Sequence, residues 1–257
     1  MTPADIRALE RATLTMVPAP RTGFDGPFVV RAFAGGTGRA NAASSLDGGA
    51  DPDLEARIDR IAARYAAMGL PARFRSTPLD PPGLAMALEA RGYVPKDETH
   101  VLIASIEGLA APDPTTEALP APDADWMAVT ATAEHQSPRR RQEKDGTPPL
   151  LTVPGAWITL RVDGVAAAVA SVVVAGELAG YFDLAVRPEY RRRGLAARAV
   201  RAAADWARGQ GARWLFCQVA VTNEPSFALN TALGLTEAYR YVYWVRAEEA
   251  GPPLKFG

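Results

Sequence analysis

One cysteine, two histidines and almost no net charge set the first limits on this chain of 257 residues. Cys217 stands alone, so neither an intramolecular disulfide nor a cysteine-based zinc site can form, and a reducing compartment is expected. His100 and His135 are too few for a multi-histidine centre, so no metal is expected. With 28 basic and 29 acidic residues the formal charge is −1, which offers no global attraction for nucleic acid or an anionic membrane. No apolar run approaches the roughly 18 residues of a membrane span. The start, Met1-Thr2-Pro3-Ala4-Asp5, lacks the basic and apolar regions of a signal peptide. The expectation is a cytoplasmic protein with no nucleic-acid or membrane partner, a monomer or homodimer. What is present is ordinary for a globular chain: 48% hydrophobic, 22% charged and 8% aromatic residues. At about 150 residues per domain, this length allows one domain or two.

Pattern along the chain favours two. Pro3 to Met16 repeats apolar residues at Ile6, Leu9, Ala12 and Met16, a helical period. Phe28 to Phe33 reads as a strand, with a second around Arg39 to Ala43. Asp51-Pro52-Asp53 starts a helix with stripe Leu54, Ile58, Ile61 and Tyr65 that stops at Gly69. Leu84 to Arg91 is a short helix, and Val101 to Ala104 a strand. From Ala110 to Asp125 prolines and acids replace the apolar period, so residues 110–121 read as a linker between units 1–109 and 122–257. Beyond it, Trp126 to His135 and Pro138 to Lys144 suit short helices. Trp157 to Val162 and Val165 to Val174 suit strands joined at Asp163-Gly164. Gly180 to Val186, Trp214 to Val221 and Tyr239 to Arg246 are further strands, separated by helices over Gly194 to Gly209 and Pro225 to Leu233.

The halves share a register. Ala72-Arg73-Phe74 lies 140 residues before Ala212-Arg213-Trp214, and Ala90-Arg91-Gly92-Tyr93 lies 142 before Ala232-Leu233-Gly234-Leu235. Long helix, strand, short helix, Gly and strand follow in the same order, which suggests a diverged tandem repeat.

The richest segment is Val186-Arg187-Pro188-Glu189-Tyr190-Arg191-Arg192-Arg193-Gly194-Leu195-Ala196. A buried strand ends, a basic turn follows, and a glycine opens an amphipathic helix. Unpaired N–H groups and the positive dipole end of that helix suit an anion. Gly194 allows close approach, Ala196 and Ala197 keep it clear, and three arginines add charge suited to a pyrophosphate.

These residues resemble the GNAT family of N-acetyltransferases, whose pyrophosphate loop reads Arg/Gln-x-x-Gly-x-Gly/Ala. Here it stands as Arg191-Arg192-Arg193-Gly194-Leu195-Ala196, after Val186, Pro188 and Tyr190 of the family lead-in. Gln218-Val219, Asn223, Ser226, Leu229 and Leu233-Gly234-Leu235 are similar to the next strand and helix of that family. The resemblance covers Trp126 to Arg246. It implies an α/β (α+β) fold of two tandem GNAT-like domains, each a mixed, mostly antiparallel twisted sheet flanked by helices. It also implies acetyl-CoA (or another acyl-CoA) as co-substrate. The donor would lie between the strand ending at Val186 and that containing Gln218. Backbone groups of Leu184, Ala185 and Val186 would hold the pantetheine, and Arg191, Arg192, Arg193, Gly194, Leu195, Ala196 and Ala197 the pyrophosphate. Asn223, Ser226 and Asn230 would face the donor. A small-molecule or peptide amine would be the acceptor.

The chain departs from the family where protons move. Asn230 stands where a tyrosine often protonates the thiolate, and Gln218 where several members carry a basic glutamate. Neither amide is an acid or base near neutral pH. Asp183 is the remaining carboxylate for the catalytic role, with a water relay or Tyr181, Tyr239 or Tyr241 as other routes. A non-catalytic acyl-CoA-binding or regulatory module, and an enzyme with a longer acyl donor, stay open as alternatives. In the first half, Asp51-Pro52-Asp53-Leu54 occupies the place of Arg191 to Gly194, so a degenerate domain without a CoA site is expected. Its Gly35-Gly36-Thr37-Gly38-Arg39-Ala40-Asn41 segment, similar to one in bacterial tandem-GNAT proteins, reads as a flexible hairpin turn. Arg139 to Lys144 reads as a solvated helix face, Cys217 as inert packing, and Trp126 as an anchor.

Overall fold

Thr2 opens the first helix because its hydroxyl accepts the Asp5 amide at 3.3 Å while the Asp5 carboxylate takes the Thr2 amide at 2.8 Å. This reciprocal cap, with Pro3 in the first turn, starts α1 (Pro3–Met16), and Ile6, Leu9, Ala12 and Met16 form its buried stripe as the periodicity predicts. The computed structural model describes residues 1–133 and 136–251. After α1 come β1 (Arg21–Asp25), β2 (Phe28–Ala32), β3 (Ala43–Ser45), α2 (Leu54–Ala67), β4 (Phe74–Ser76), α3 (Leu84–Glu89) and β5 (Tyr93–Ser105). Then follow β6 (Thr116–Leu119), α4 (Ala124–Thr130), α5 (Pro138–Gly146), β7 (Gly155–Val162), β8 (Val165–Ala175) and β9 (Leu178–Val186). Last are α6 (Leu195–Gly209), β10 (Trp214–Ala220), α7 (Glu224–Ala232) and β11 (Thr236–Arg246).

The fold is α/β, a mixed and mostly antiparallel sheet flanked by helices. Among the described residues its eleven strands run in the order β1-β2-β3-β4-β11-β5-β10-β9-β8-β7-β6. Parallel pairing occurs at β3–β4 and at β9–β10. Each parallel pair encloses a long helix and is followed by a short helix and a long strand, so β3-α2-β4-α3-β5 and β9-α6-β10-α7-β11 repeat one order. The final strands are exchanged: β5 lies between β10 and β11, and β11 between β4 and β5. Hydrogen-bonded ladders, and not a tether alone, therefore join the two halves.

Several expectations shift. The proline-rich stretch at 110–121 is not featureless, because Thr116–Leu119 pairs with Leu160–Trp157 as an edge strand. Asp113 in it also accepts from Arg198 of α6 at 2.8 Å. Pairing along one edge needs no apolar alternation, so composition could not reveal it. The strand placed at Arg39 to Ala43 sits at Ala43–Ser45, and β1 (with four exposed residues) has no apolar signal. The helix from Trp126 ends at Thr130, and His135 lies outside the described residues. Trp126 is buried and donates to the Ala170 carbonyl at 3.3 Å, an anchor as expected.

Beneath the sheet centre lies a charged pair no periodicity signals. Arg75 on β4 donates to Glu10 on α1 at 2.6 and 3.0 Å, with side-chain exposures of 4% and 1%. Tyr239 also donates to Glu10, and the Arg75 guanidinium lies 3.3 Å from the Tyr241 ring centre. Removing one partner strands the other charge, at a cost of about 3–5 kcal/mol. Glu10→Ala should thus lower the unfolding free energy by that amount, while Glu10→Met with Arg75→Leu should recover most of it. Denaturant unfolding of the three proteins checks this, and equal loss in single and double variants would rule out a stranded charge.

Candidate active site

The parallel pair β9–β10 is where the sheet opens. Trp214, Leu215 and Phe216 pair with Leu178, Ala179 and Gly180, and no pairing follows. Opposite this gap β9 is bulged against β8: Val169 pairs with Ala185 and Ser171 with Phe182, so Asp183 and Leu184 face Ala170 alone. Asp183 takes the left-handed conformation there (φ 55°), which aspartate tolerates better than most residues. The bulge turns β9 away from β10 and frees backbone groups beside the gap.

On one side of the gap is a cavity of about 700 Å³. Leu184, Ala185 and Val186 form one wall, Arg191, Arg192 and Gly194 to Ala197 the floor, and Asn223, Ser226 and Leu229 the far wall. Gly194 has φ +76°, and a Cβ there would meet nothing within 4 Å. Backbone conformation and open space, not packing, hence call for glycine, and the N-terminus of α6 points into that space. Most of the expected donor-binding residues meet here. Two do not. Arg193 is absent from the cavity wall, its guanidinium carbon lying 5.2 Å from the Tyr190 ring centre. Asn230 is fully buried: its amide donates to the Ser226 carbonyl at 2.9 Å and its oxygen accepts from Tyr181. Asn223 caps α7 by accepting the Ser226 amide at 3.1 Å and lines the cavity.

A second cavity of about 240 Å³ shares Leu184, Asn223 and Ser226 with the first as lining. Asp183 lines it, tied to Lys144 of α5. Burial pushes the Asp183 carboxyl up, but Lys144, with help from Arg39 and Arg140, outweighs that and holds it below the usual range. Gln218 faces the same space, but its amide donates to Thr13 at 3.0 Å and its oxygen accepts from Tyr241 at 3.1 Å. All three candidate tyrosines donate inside the protein: Tyr181 to Asn230, Tyr239 to Glu10 and Tyr241 to Gln218. Tyr181 and Tyr241 line the cavity. Cys217 lies at its edge with its thiol pushed up to about 12 by burial, in keeping with inert packing.

One carboxylate escaped sequence reasoning. Asp97 also has a positive φ (56°), in a bulge where Lys96 pairs with Tyr243 and Thr99 with Tyr241. It lines the same cavity from β5, without a salt bridge among the described residues. A lone Asp in Lys96-Asp97-Glu98 carries no motif, so only strand exchange brings it to this site.

The first half builds the remaining wall, and here two expectations are corrected. Glu143 of α5 is buried, and the glycine segment wraps its carboxylate. The amides of Ala34, Gly36 and Thr37 donate to it at 3.2, 2.7 and 2.6 Å, and the Asn41 side-chain amide at 2.7 Å. A Cβ on Gly36 would lie 2.6 Å from the carboxylate oxygen, so that position must stay glycine. The segment is thus an anion nest filled by the protein's own glutamate, not a flexible hairpin turn. Nor is Arg139 to Lys144 a merely solvated face: Glu143 and Lys144 point inward, and Arg140 lines the cavity. At the counterpart of the phosphate loop, Asp51 and Asp53 bind arginines instead of ligand. Arg57 donates to Asp51 at 2.6 Å, and Arg60 to Asp53 at 2.6 Å.

Comparison with known proteins gives the family. The family described as "Probable histone acetyltransferase Rv0428c C-terminal" matches residues 3–244. The uncharacterised N-acetyltransferase YobR of Bacillus subtilis is 24% identical over 251 residues, covering 94% of this chain and 99% of its own. A GCN5-related N-acetyltransferase from Kribbella flavida shares the fold with a TM-score of 0.73 at 20% identity, over 94% of this chain and 95% of that one. A tandem GNAT protein from the clavulanic acid biosynthesis pathway does so at 0.63 and 17%, over 96% and 89%. The chain belongs to the GNAT acetyltransferases, in the family of the Rv0428c C-terminal domain. Among the described residues no helix is long and apolar enough to cross a membrane.

Proposed function

We propose that this N-acetyltransferase moves an acetyl group from acetyl-CoA to a primary amine by direct attack. The observation carrying the proposal is that two cavities share Leu184, Asn223 and Ser226 as lining beside the opened β9–β10 pair. The larger cavity suits the donor: an open glycine, a helix N-terminus and basic side chains meet there. Leu184 to Val186 would pair with the pantetheine arm as a strand does, and Arg191, Arg192 and Gly194 to Ala197 would hold the pyrophosphate. The amine approaches from the smaller cavity, and its nitrogen bonds to the thioester carbonyl carbon as the carbon–sulfur bond breaks. Holding the two reactants together supplies much of the rate. We take residues 1–109 and 122–257 as two GNAT-like units, the second holding the donor and the first shaping the acceptor side.

In this reading Asp183 accepts a hydrogen bond from the attacking amine and passes its proton to water. The sulfur's hydrogen-bond donor is Tyr181, whose single O–H must turn to the sulfur from the Asn230 oxygen it holds here, Asn230 standing at the place of the family tyrosine. A carboxyl held low is ionised across the working range, so its titration adds no limb to the rate profile near neutrality. Activity should rise with pH until the acceptor ammonium has lost its proton. Asp183→Asn should lower kcat/KM for the amine by about 10²-fold without moving that limb, and Tyr181→Phe should lower kcat with little change in KM for acetyl-CoA. A limb that moves with Asp183→Asn would remove this assignment.

Thiol release from acetyl-CoA with a panel of amines tests the proposal as a whole. Turnover that disappears in Gly194→Asp supports it and excludes a purely ligand-binding module. No binding of CoA at millimolar concentration would end it. Butyryl- and longer-chain thioesters in the same assay decide the acyl length.

A further inference from the structure

Three guanidiniums face the acceptor-side cavity from three separate segments: Arg39 beyond the glycine nest, Arg73 before β4 and Arg140 in α5. Among the described residues, none has a carboxylate within salt-bridge distance. Arg39 lies 5.4 Å from the Phe182 ring centre, and Arg73 5.6 Å from that of Tyr243. Of the other buried arginines, Arg75 holds Glu10, Arg57 holds Asp25 and Asp51, and Arg31 is taken up by the backbone carbonyls of Leu14, Val17 and Arg39. The Nε of Arg39 is buried without a hydrogen-bond partner among the described residues. Burial holds the Arg140 guanidinium below its ordinary value, and the neighbouring Arg39 charge adds to this. Two like charges thus share a half-buried space, an arrangement that favours an incoming anion.

The nearby carboxylates offset that charge only in part, Asp183 and Glu143 acting on Arg140 at a distance and without an ion pair. Asp183 is matched by Lys144. Glu143 is enclosed by its four N–H donors. Glu249 is exposed within electrostatic reach of Arg73. Asp97 alone faces the cavity without a cation partner among the described residues. At about 240 Å³, the space falls just under the 300–1,000 Å³ usual for drug-sized ligands, so a small acceptor fits it.

We propose that the acceptor amine carries its own anionic group, a carboxylate or a phosphate, which Arg39 and Arg140 grip while Arg73 adds charge. A guanidinium presents paired N–H donors that match either oxyanion. The inference rests on the amine-acceptor reading above and narrows it to small acidic amines, away from basic peptides.

The test pairs amines of similar size: β-alanine with β-alaninamide, and O-phosphoethanolamine with ethanolamine, with 1,4-diaminobutane and a lysine-containing peptide as cationic probes. In thiol-release assays at saturating acetyl-CoA, at least one acidic member should exceed its neutral partner tenfold or more in kcat/KM. Comparison of the two pairs tells carboxylate from phosphate. Arg39→Gln and Arg140→Gln should each erase most of that preference through KM for the amine, leaving KM for acetyl-CoA and the melting temperature near wild type. Arg39→Lys should restore part of it. Calorimetry of the same probes without donor gives a readout independent of turnover. Tenfold tighter binding of an acidic member, lost in Arg39→Gln, supports the inference even if no amine is acetylated. Equal or better use and binding of the neutral and cationic probes would overturn it. Failure of CoA itself to bind would instead overturn the function on which it rests.

Discussion

Glu143→Ala should lower the unfolding free energy by about 3–5 kcal/mol and abolish acetyl transfer. Four N–H donors converge on this carboxylate between 2.6 and 3.2 Å. A hydrogen bond to a charged group contributes about 1.5–3 kcal/mol, and donors left without an acceptor add a desolvation cost. The four are not additive, because water reaches an emptied nest through the cavity. Yet Glu143 is the one buried residue of α5, and it docks the helix together with the Lys144–Asp183 ion pair. Losing that dock also loosens Lys144 from Asp183 and removes Arg140 from the cavity wall. At roughly 2–4 °C per kcal/mol for a chain of this size, the melting temperature should fall by about 10 °C. Glu143→Gln should fall between, since its amide nitrogen meets donors where an acceptor is needed. Thermal melts with parallel activity measurements check both. A stable but inactive Glu143→Ala protein would mean that the nest shapes the site without supporting the fold.

Gly194→Asp should weaken CoA binding at least 100-fold with only a small loss of stability. Two effects combine at this position. The φ of +76° is costly for most side chains, about 1–2 kcal/mol, although aspartate is among the more tolerant. The added side chain also enters open space at the N-terminus of α6, where a carboxylate competes with the pyrophosphate and repels it. A 100-fold loss corresponds to about 2.7 kcal/mol, a reasonable sum for charge repulsion and lost approach. Gly194→Ala separates the two effects, because it keeps the strain and a methyl group without the charge. It should lose less affinity than Gly194→Asp at comparable stability. Arg192→Glu tests the electrostatic half alone, with tenfold or greater weakening. Calorimetry with CoA measures all three, and an unchanged affinity in Gly194→Asp would place the donor elsewhere.

Local signals made the proposed donor side readable. Residues 186–197 lie consecutively, so the strand end, basic turn, glycine and helix start are visible as one string. The element order repeated at an offset of about 140 residues was equally visible, because each helix and strand advertises its own periodicity. Edge strands such as β1 and β6 were missed because their pairing relies on backbone groups, not on an apolar face. The catalytic neighbourhood was legible only in part. Asp183 could be named from its strand, but its bulge and its Lys144 partner could not.

The acceptor side was hidden for a different reason. Arg39, Arg73, Asp97, Arg140 and Asp183 come from five segments spread over more than half the chain. No spacing rule relates them, and each alone reads as a surface charge. The glycine segment looked flexible because its fixed partner, Glu143, lies about a hundred residues away. The class of protein and the place we propose for a donor phosphate were both legible along the chain, since short-range chemistry writes both. The lining of the cavity proposed for the acceptor emerges only on folding. Exchange of β5 and β11 and the docking of α5 through one carboxylate assemble that cavity, and such long-range contacts leave no pattern along the chain.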